Sequence, residues 1–205
     1  METWRVYGDH RSGNCYKVAL ILALTGRPYH WVEVDVMSGE TQTPGFLDMN
    51  PNGKVPLLQT PAGRFLPESN AILLHLAEGS DYLPADAWQR ARVYQWLFFE
   101  QYTHEPSIAV ARFIVYYAGR ELEEAERLAE LRGKGRRALS VMEKNLAGSA
   151  YMAGPQFTIA DIALYAYTHV AEDGGIGLAE FPAVRAWLER VAAVPGFKAM
   201  AEACR

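Results

Sequence analysis

The sequence has few cysteines and no long hydrophobic run. Its two cysteines, Cys15 and Cys204, lie almost a full chain apart and form no C-x-x-C pair. This spacing argues against both a disulfide framework and a sulfur-ligated metal site. No apolar run approaches the roughly 20 residues that a membrane-spanning helix needs, and charged residues already occur within the first eleven positions, unlike a secretory leader. We therefore expect a cytoplasmic protein that has no membrane partner.

Basic residues are fewer than acidic residues. Lys and Arg number 20 against 24 Asp and Glu, giving a net charge of -4. The densest basic run, residues 132–137, follows the acidic stretch 121–130, a pattern typical of one solvated helix rather than a nucleic-acid interface. The five histidines show none of the paired spacings of metal sites. Neither a nucleic-acid partner nor a metal cofactor is expected.

What is present points to two globular domains. Half of the residues are hydrophobic and 21% are charged, as in ordinary globular proteins. Residues 1 to about 78 alternate strand and helix signals, whereas the sequence after Pro84 has long helical periodicity and no convincing strand. We predict an α/β domain over residues 1–80 and an all-helical domain over residues 87–205.

The first part predicts the order β-α-β-α-β-β-α. Its signals are a strand at 4–7, a helix at 13–25, an alternating strand at 29–36, a helix opened by Thr43 and Pro44, a hairpin through "KVPLLQT", "PAGR" and Phe65-Leu66, and a helix to about 78 that Ser69 caps. Because the short hairpin turn forces its two strands to be antiparallel, the sheet cannot be purely parallel.

The second part predicts helices throughout. One begins near residue 87, and Pro106 is expected to kink it or to begin its continuation to residue 117. A second spans about 122–146, and a last helix follows Pro182. Thr158 and Asp161 have the spacing of a helix capping box.

The stretch "SGNCYK", residues 12–17, brings a hydroxyl, an amide and a thiol to the start of the first helix. Ser12 is equally consistent with a helix cap and with a hydroxyl that contacts a ligand. Asn14 fits either a polar first-turn residue or an amide donor to that ligand. Cys15 is in register with the apolar positions 18, 19 and 22, so a buried core residue is the favoured interpretation.

A second pair of motifs, "NGKVP" and "PESNAILLHL", describes a peptide site. A tight, possibly cis, Val55–Pro56 bond would present the Val55 backbone outward. Glu68 and Ser69 fall at a helix N-terminus, where unsatisfied N–H groups attract a carboxylate. Together they suit an extended, acid-bearing peptide; taken singly, Pro56 is a turn residue and Ser69 a cap.

These motifs in this order resemble a cytosolic bacterial glutathione S-transferase. The resemblance rests on "SGNCYKVALIL", "NPNGKVPLL", "ESNAILLHL" and "FTIADIALYAYTHV" and covers essentially the whole chain. It implies a thioredoxin-like N-terminal domain, an all-helical C-terminal domain, and a homodimer with one glutathione site per subunit. Glutathione is then the co-substrate.

The resemblance also implies roles for particular residues in binding glutathione. The Val55 backbone should pair with the cysteinyl part of the tripeptide, ahead of a cis-Pro56. Glu68 and Ser69 should hold the γ-glutamyl end.

The glycyl carboxylate is the contact in which this sequence departs from its relatives. Lys54 is expected to reach it. Thr41 stands where related enzymes often place His, Lys or Gln, and the adjacent Gln42 is a candidate substitute.

Ser12 and Asn14 are the expected catalytic residues. A free thiol has a pKa of about 8.5, so lowering it by about two units takes close to 2.7 kcal/mol. One hydrogen bond to an anion supplies roughly 1.5–3 kcal/mol, and a helix N-terminus adds about 0.3–1 kcal/mol. A single hydroxyl at the helix N-terminus therefore suffices.

The expected second substrate is a small hydrophobic electrophile. Its site should lie between the domains, lined by Tyr102, Ile108, Arg112 and Phe113. The alternative for Arg112 is an ion pair that ties the bent helix together. Two other functions stay open: a non-catalytic glutathione-binding scaffold, and a thiol-disulfide reductase that uses Cys15 through a mixed disulfide.

Overall fold

The computed structural model describes residues 3–205, which form two compact units. The first contains the chain up to Glu78 together with Val194–Arg205, and the second contains Gly79–Ala193. No helix among the described residues is both long and apolar enough to cross a bilayer.

The first unit has the element order predicted from the sequence. Its elements are β1 (Trp4–Gly8), α1 (Gly13–Leu24), β2 (Tyr29–Glu33), α2 (Pro44–Met49), β3 (Leu57–Gln59), β4 (Phe65–Pro67), α3 (Ser69–Ala77) and, from the end of the chain, α9 (Met200–Ala203). The strands lie in the order β2-β1-β3-β4. β1 pairs in parallel with β2, and the other two pairs are antiparallel, which confirms the mixed sheet of a thioredoxin-like domain.

Alternation along the strands divides the core between the two faces of this sheet. Val6 and Leu58 are paired neighbours in β1 and β3 and are wholly buried. On the opposite face, Leu57 packs with Phe46 of α2, and Val34 completes that cluster. Helices therefore cover both faces, and α1 itself is buried on nearly all sides.

The second strand is shorter than its alternating pattern predicts. It ends at Glu33, because the Asp35 carboxylate accepts the backbone N–H of Met37 at 2.8 Å and turns the chain away from the sheet. Val34 still reaches the core, whereas Val36 is only half-buried.

The sequence pattern places the C-terminal residues in the helical domain, but in the structure they belong to the first unit. α9 packs against α1, and the Tyr16 hydroxyl donates to the Lys198 carbonyl at 2.7 Å. Tyr29 donates likewise to the Ala203 carbonyl. Sequence periodicity does not reveal these contacts, since each joins residues more than 170 positions apart.

The second unit is helical throughout the described residues. Its helices are α4 (Ala87–Phe99), α5 (Glu105–Arg112), α6 (Ala125–Leu146), α7 (Ile159–Thr168) and α8 (Pro182–Ala192). A wide, π-helical turn at Glu100–His104 joins α4 to α5. Pro106 lies in the first turn of α5, where its missing N–H is tolerated, so the expected continuation after this proline is confirmed.

Asp161 is the polar centre of the second unit. Its carboxylate accepts hydrogen bonds from the backbone N–H of Thr158, the backbone N–H of Met152 and the indole of Trp187, at 2.8–2.9 Å. The Asp161 carboxylate accepts the backbone N–H of Thr158, and the Thr158 hydroxyl accepts a backbone N–H from the first turn of the helix. These two hydrogen bonds confirm the predicted capping box. Burial raises the pKa of this carboxyl to about 6, although these hydrogen bonds favour its ionised form.

We expect Asp161→Asn to lower the free energy of unfolding by about 3–5 kcal/mol. The asparagine side chain replaces one carboxylate oxygen by an NH2 group, which cannot accept a hydrogen bond. Buried backbone or indole N–H groups are then left without an acceptor. Urea unfolding monitored by circular dichroism measures this. Asp81→Asn, at an exposed position in the same unit, is the matched control and should change stability by less than about 0.5 kcal/mol; equal effects in the two variants would contradict the role of Asp161.

Candidate functional site

A tight loop between β1 and α1 sets the position of Ser12. The Asp9 side chain is wholly buried and accepts both the backbone N–H and the guanidinium of Arg11, at 2.7–3.0 Å. The Asp9 carbonyl accepts the N–H of Ser12 at 2.9 Å. Burial alone would raise the pKa of Asp9, but the hydrogen bonds from Arg11 outweigh it and leave the pKa below its ordinary value.

Ser12 is the N-cap of α1. Its backbone is extended, and its Oγ accepts the N–H of Cys15 at 3.4 Å. A hydroxyl has one hydrogen to donate and two lone pairs that accept. The capping role and the predicted donation to a ligand therefore use different parts of the same half-buried hydroxyl and do not exclude each other.

Cys15 is a core residue, as its helical register predicted. Its side chain is completely buried, and burial raises the pKa of the thiol to about 12. A Cβ added at Gly8 would lie 3.0 Å from its sulfur, so the strand backbone passes directly over the thiol. A thiol that is neutral and covered in this way is a poor nucleophile.

Ser69 joins the first turns of α1 and α3. Its hydroxyl donates to Asn14 Oδ1 at 3.2 Å, and it accepts from the ammonium group of Lys17 at 3.4 Å. The same ammonium group donates to Asn70 Oδ1 at 3.4 Å. Ser69, which is predicted to hold the γ-glutamyl end of glutathione, and Asn14, which is predicted to contact its sulfur, are thus in direct contact.

The expectation that Ser69 caps α3 is wrong. Ser69 is the first helical residue, and the N-cap is Glu68, whose side chain makes no capping hydrogen bond. Glu68 has φ 68° and ψ 108°, the one described non-glycine residue with positive φ. Such a conformation costs about 1–3 kcal/mol and is typical of functional sites. It leaves the Glu68 carboxylate exposed beside the N–H groups that begin α3.

The loop before β3 contains one residue, Val55, whose backbone is unpaired among the described residues. The Val55–Pro56 peptide bond is cis, as predicted. Within residues 3–205, the backbone N–H and C=O of Val55 form no intramolecular hydrogen bond. An extended peptide can pair with such backbone as an added strand would.

Asn50 and Gln42 hold this loop in place. The Asn50 amide donates to the Lys54 carbonyl at 2.8 Å, and its oxygen accepts the Asn52 N–H at 3.1 Å. The Gln42 amide donates to the Gly53 carbonyl and to Thr41 Oγ1, each at 3.2 Å. Gly53 has φ 60°, and a Cβ there would lie 3.1 Å from the Thr41 carbonyl and would displace the Gln42 amide, so this position favours glycine.

These contacts bear on the glycyl-carboxylate candidates. Thr41 is buried and Gln42 is already engaged with the loop, whereas Lys54 is exposed and has no side-chain partner among the described residues. Lys54 is therefore the better placed of the two predicted contacts.

The four predicted electrophile contacts differ in exposure. Ile108 is completely buried in the second unit, and Arg112 is nearly so, paired with Asp173 at 2.9 Å. Tyr102 is 88% exposed and lines a cavity of about 480 Å³ between α5 and α6, and Phe113 is 38% exposed. Arg112 therefore makes an ion pair, as its alternative interpretation held, although to a residue beyond the bent helix.

One group of described side chains brings metal-ligand atoms together. Atoms of Asp9, His10 and Glu33 lie within 4.8 Å of one another. The Asp9 carboxylate is bound by Arg11, and Glu33 accepts from the indole of Trp31 and contacts the His10 ring, each at 2.6 Å. These hydrogen bonds explain why the three side chains lie close together.

Sequence reasoning missed three residues that hold the site: Asp9, Lys17 and Asn50. Each is a polar side chain that is almost completely buried. Of the three, only Lys17 could have been recognised from the sequence, because it is a charged residue among the apolar residues of α1. Asp9 and Asn50 lie in loops, where polar residues are expected, so only their burial marks them.

We expect Asp9→Asn to lower stability by about 2–3 kcal/mol at pH 7, because it removes one oxygen of a buried, hydrogen-bonded ion pair. The folded-state pKa of Asp9 is lowered, so its stabilisation is present above the unfolded pKa of about 4 and is lost as pH falls further. Urea unfolding at pH 7 and pH 3 should show a smaller difference between the two proteins at pH 3. Asp48→Asn, at an exposed position, is the control, and a gap that widens in acid would contradict the assignment.

Comparison with known proteins agrees with this geometry. The chain matches the family models described as "Glutathione S-transferase, N-terminal domain" over residues 11–78 and "Glutathione S-transferase, C-terminal domain" over residues 106–195. Disulfide-bond oxidoreductase YfcG of Escherichia coli (strain K12) is 32% identical over 197 residues, covering 89% of this chain and 87% of that protein.

Solved structures show the same likeness. A glutathione S-transferase from Pseudomonas fluorescens Pf-5 is 53% identical with a TM-score of 0.94, covering 96% of this chain and 98% of that one. A glutathione transferase family member from the same organism, with two glutathione bound, is 31% identical with a TM-score of 0.83, covering 95% and 90%. By sequence and by fold, the chain belongs to the glutathione S-transferase family.

Proposed function

We propose that the protein binds glutathione, holds its sulfur as a thiolate, and transfers it to a small hydrophobic electrophile. The observation that carries the proposal is the unpaired backbone of Val55 beside the N-terminus of α3. An extended tripeptide with a carboxylate at each end fits this combination, because backbone pairing fixes its middle and the helix N-terminus attracts one end. The relative with bound glutathione supports the choice of tripeptide.

Each end of glutathione is assigned to predicted residues. The γ-glutamyl carboxylate binds the Ser69 hydroxyl and the first N–H groups of α3, and the α-amino group binds the exposed Glu68 carboxylate. Lys54 binds the glycyl carboxylate, with Gln42 supporting the loop from which Lys54 extends. The strained backbone of Glu68 is then explained by its place in the site.

Ser12 and Asn14 stabilise the thiolate. The hydrogen of the Ser12 hydroxyl points to the sulfur while its oxygen continues to cap α1. One such hydrogen bond to an anion is worth roughly 1.5–3 kcal/mol, which corresponds to about one to two pKa units. The exposed aromatic side chains Tyr102 and Phe113 are the candidates for contacting the electrophile. The family resemblance adds a cytoplasmic homodimer to the proposal.

We expect Ser12→Ala to raise the pKa of the bound glutathione thiol by about one to two units and to lower kcat for a chlorodinitrobenzene-type electrophile by roughly 10- to 100-fold. The ultraviolet absorbance of the thiolate, titrated in the complex, measures the pKa. Ser140→Ala, at an exposed position in α6, is the control.

Two results would overturn this assignment. A thiol pKa in the wild-type complex equal to that of glutathione in buffer would remove the catalytic role of Ser12. Binding of glutathione without turnover of any electrophile would favour the scaffold function instead.

A second candidate activity is glutathione-dependent disulfide reduction, which the 32% identity to a disulfide-bond oxidoreductase favours. Because Cys15 is buried and its thiol pKa is raised, the attacking thiolate in this reaction is that of bound glutathione. It forms a mixed disulfide with the substrate and releases the other substrate sulfur as a thiolate. A second glutathione then attacks the mixed disulfide, which forms glutathione disulfide and releases the remaining substrate sulfur as a thiolate.

Cys15→Ala distinguishes the two thiols. We expect the variant to reduce a small disulfide such as hydroxyethyl disulfide at a rate within about threefold of wild type, whereas Ser12→Ala loses most of the rate. Loss of reduction in Cys15→Ala, with the fold intact by circular dichroism, would restore Cys15 as the nucleophile.

A further inference from the structure

We propose that Lys17 is a positioning residue that fixes the direction of the hydrogen bonds in the glutathione site. Lys17 contacts neither end of the tripeptide in the scheme above and acts through Ser69. The inference rests on the proposed function and adds a residue to the binding of the γ-glutamyl carboxylate.

The position of Lys17 is unusual for its residue type. It lies in the middle of α1, its side chain is 0% exposed, and it is the only buried lysine among the described residues. Placing an ammonium group in a protein interior is unfavourable unless polar groups surround it. Two of those groups are on α3, namely Ser69 Oγ and Asn70 Oδ1, each 3.4 Å from Lys17 Nζ.

An ammonium group only donates hydrogen bonds, and this decides where the Ser69 proton lies. Because Lys17 cannot accept, Ser69 Oγ must accept from it, and the one hydroxyl hydrogen of Ser69 must point elsewhere. In the structure that hydrogen goes to Asn14 Oδ1 at 3.2 Å.

The ligand uses this directed hydrogen. Because the Ser69 hydroxyl has only one hydrogen, the γ-glutamyl carboxylate takes it by replacing Asn14 Oδ1 as the acceptor. Lys17 continues to donate to Ser69 Oγ in the complex and so keeps the hydrogen directed at the carboxylate.

A neutral side chain at position 17 would remove this constraint. Without a compulsory donor, the Ser69 hydroxyl can turn inward, away from the carboxylate. Lys17 therefore influences the affinity for the γ-glutamyl carboxylate, although it does not contact that group.

The test is Lys17→Met, compared with Lys144→Met, which removes a lysine at an exposed position of α6. We expect Lys17→Met to raise the glutathione KM at least fivefold while kcat at saturating glutathione changes less than twofold, and the control to change neither. Thermal melts check that both variants fold. If Lys17→Met does not fold, Lys17→Gln replaces it, because a glutamine amide can accept the Ser69 hydrogen and so also removes the fixed direction.

A double-mutant cycle separates positioning from a general structural role. If Lys17 acts through Ser69, the change from lysine to methionine should alter the glutathione KM less than twofold in a Ser69→Ala background. An undiminished effect in that background, or a Lys17→Met protein with wild-type KM, would overturn the inference.

The proposed function fails by a different result. If the wild-type protein neither binds glutathione nor shifts its thiol pKa, the family-based function is wrong. If the wild-type protein binds glutathione and shifts its thiol pKa, and Lys17→Met has the same glutathione KM as wild type, only the role of Lys17 is wrong.

Discussion

The hydrogen bond between Ser69 and Asn14 is the contact on which the candidate site depends. It joins the N-terminal turns of α1 and α3, the two longest helices described in this domain. Two helix N-termini placed side by side create a region of positive potential. A peptide that carries a carboxylate and a thiolate is stabilised in that region by both helices together.

The residues that support this arrangement are buried polar side chains rather than apolar core. Asp9 fixes the loop that ends in Ser12, Asn50 fixes the loop that ends in Val55, and Lys17 sets the direction of the contact between the two helices. Buried polar groups are stable only when nearly all of their hydrogen bonds are formed. Each therefore has one well-defined geometry, which suits a site that must be rigid before its ligand arrives.

Glu68 and Cys15 show how stability and chemistry are separated in this domain. Glu68 has a strained backbone and an exposed carboxylate, features that reduce stability and suit binding. Cys15 lies three residues from Ser12 but is wholly buried with a raised thiol pKa, features that suit packing and oppose reactivity. The carboxyl group at the start of α3 and the thiol in the first turn of α1 thus have opposite roles because their solvent exposure differs.

The sequence by itself determined the element order, the mixed sheet, the cis Val55–Pro56 bond and the burial of Cys15. These follow from local signals: period-two and helical apolar patterns, a proline within a motif, and the register of one helix. The outcome at Ser69 depended on the strained backbone of Glu68, which no local propensity favours, so its predicted cap was wrong.

Only the tertiary structure decided which residues meet. The contact of Lys17 with Ser69 joins positions 52 apart, and the Tyr16 contact that brings the C-terminal residues into the first unit joins positions 182 apart. The same holds for Ile108 and Arg112, whose residue types suit a pocket but whose neighbours bury them. Hydrophobic periodicity records which face of an element is buried but not what covers it, so contacts between distant polar residues become visible only once the chain is folded.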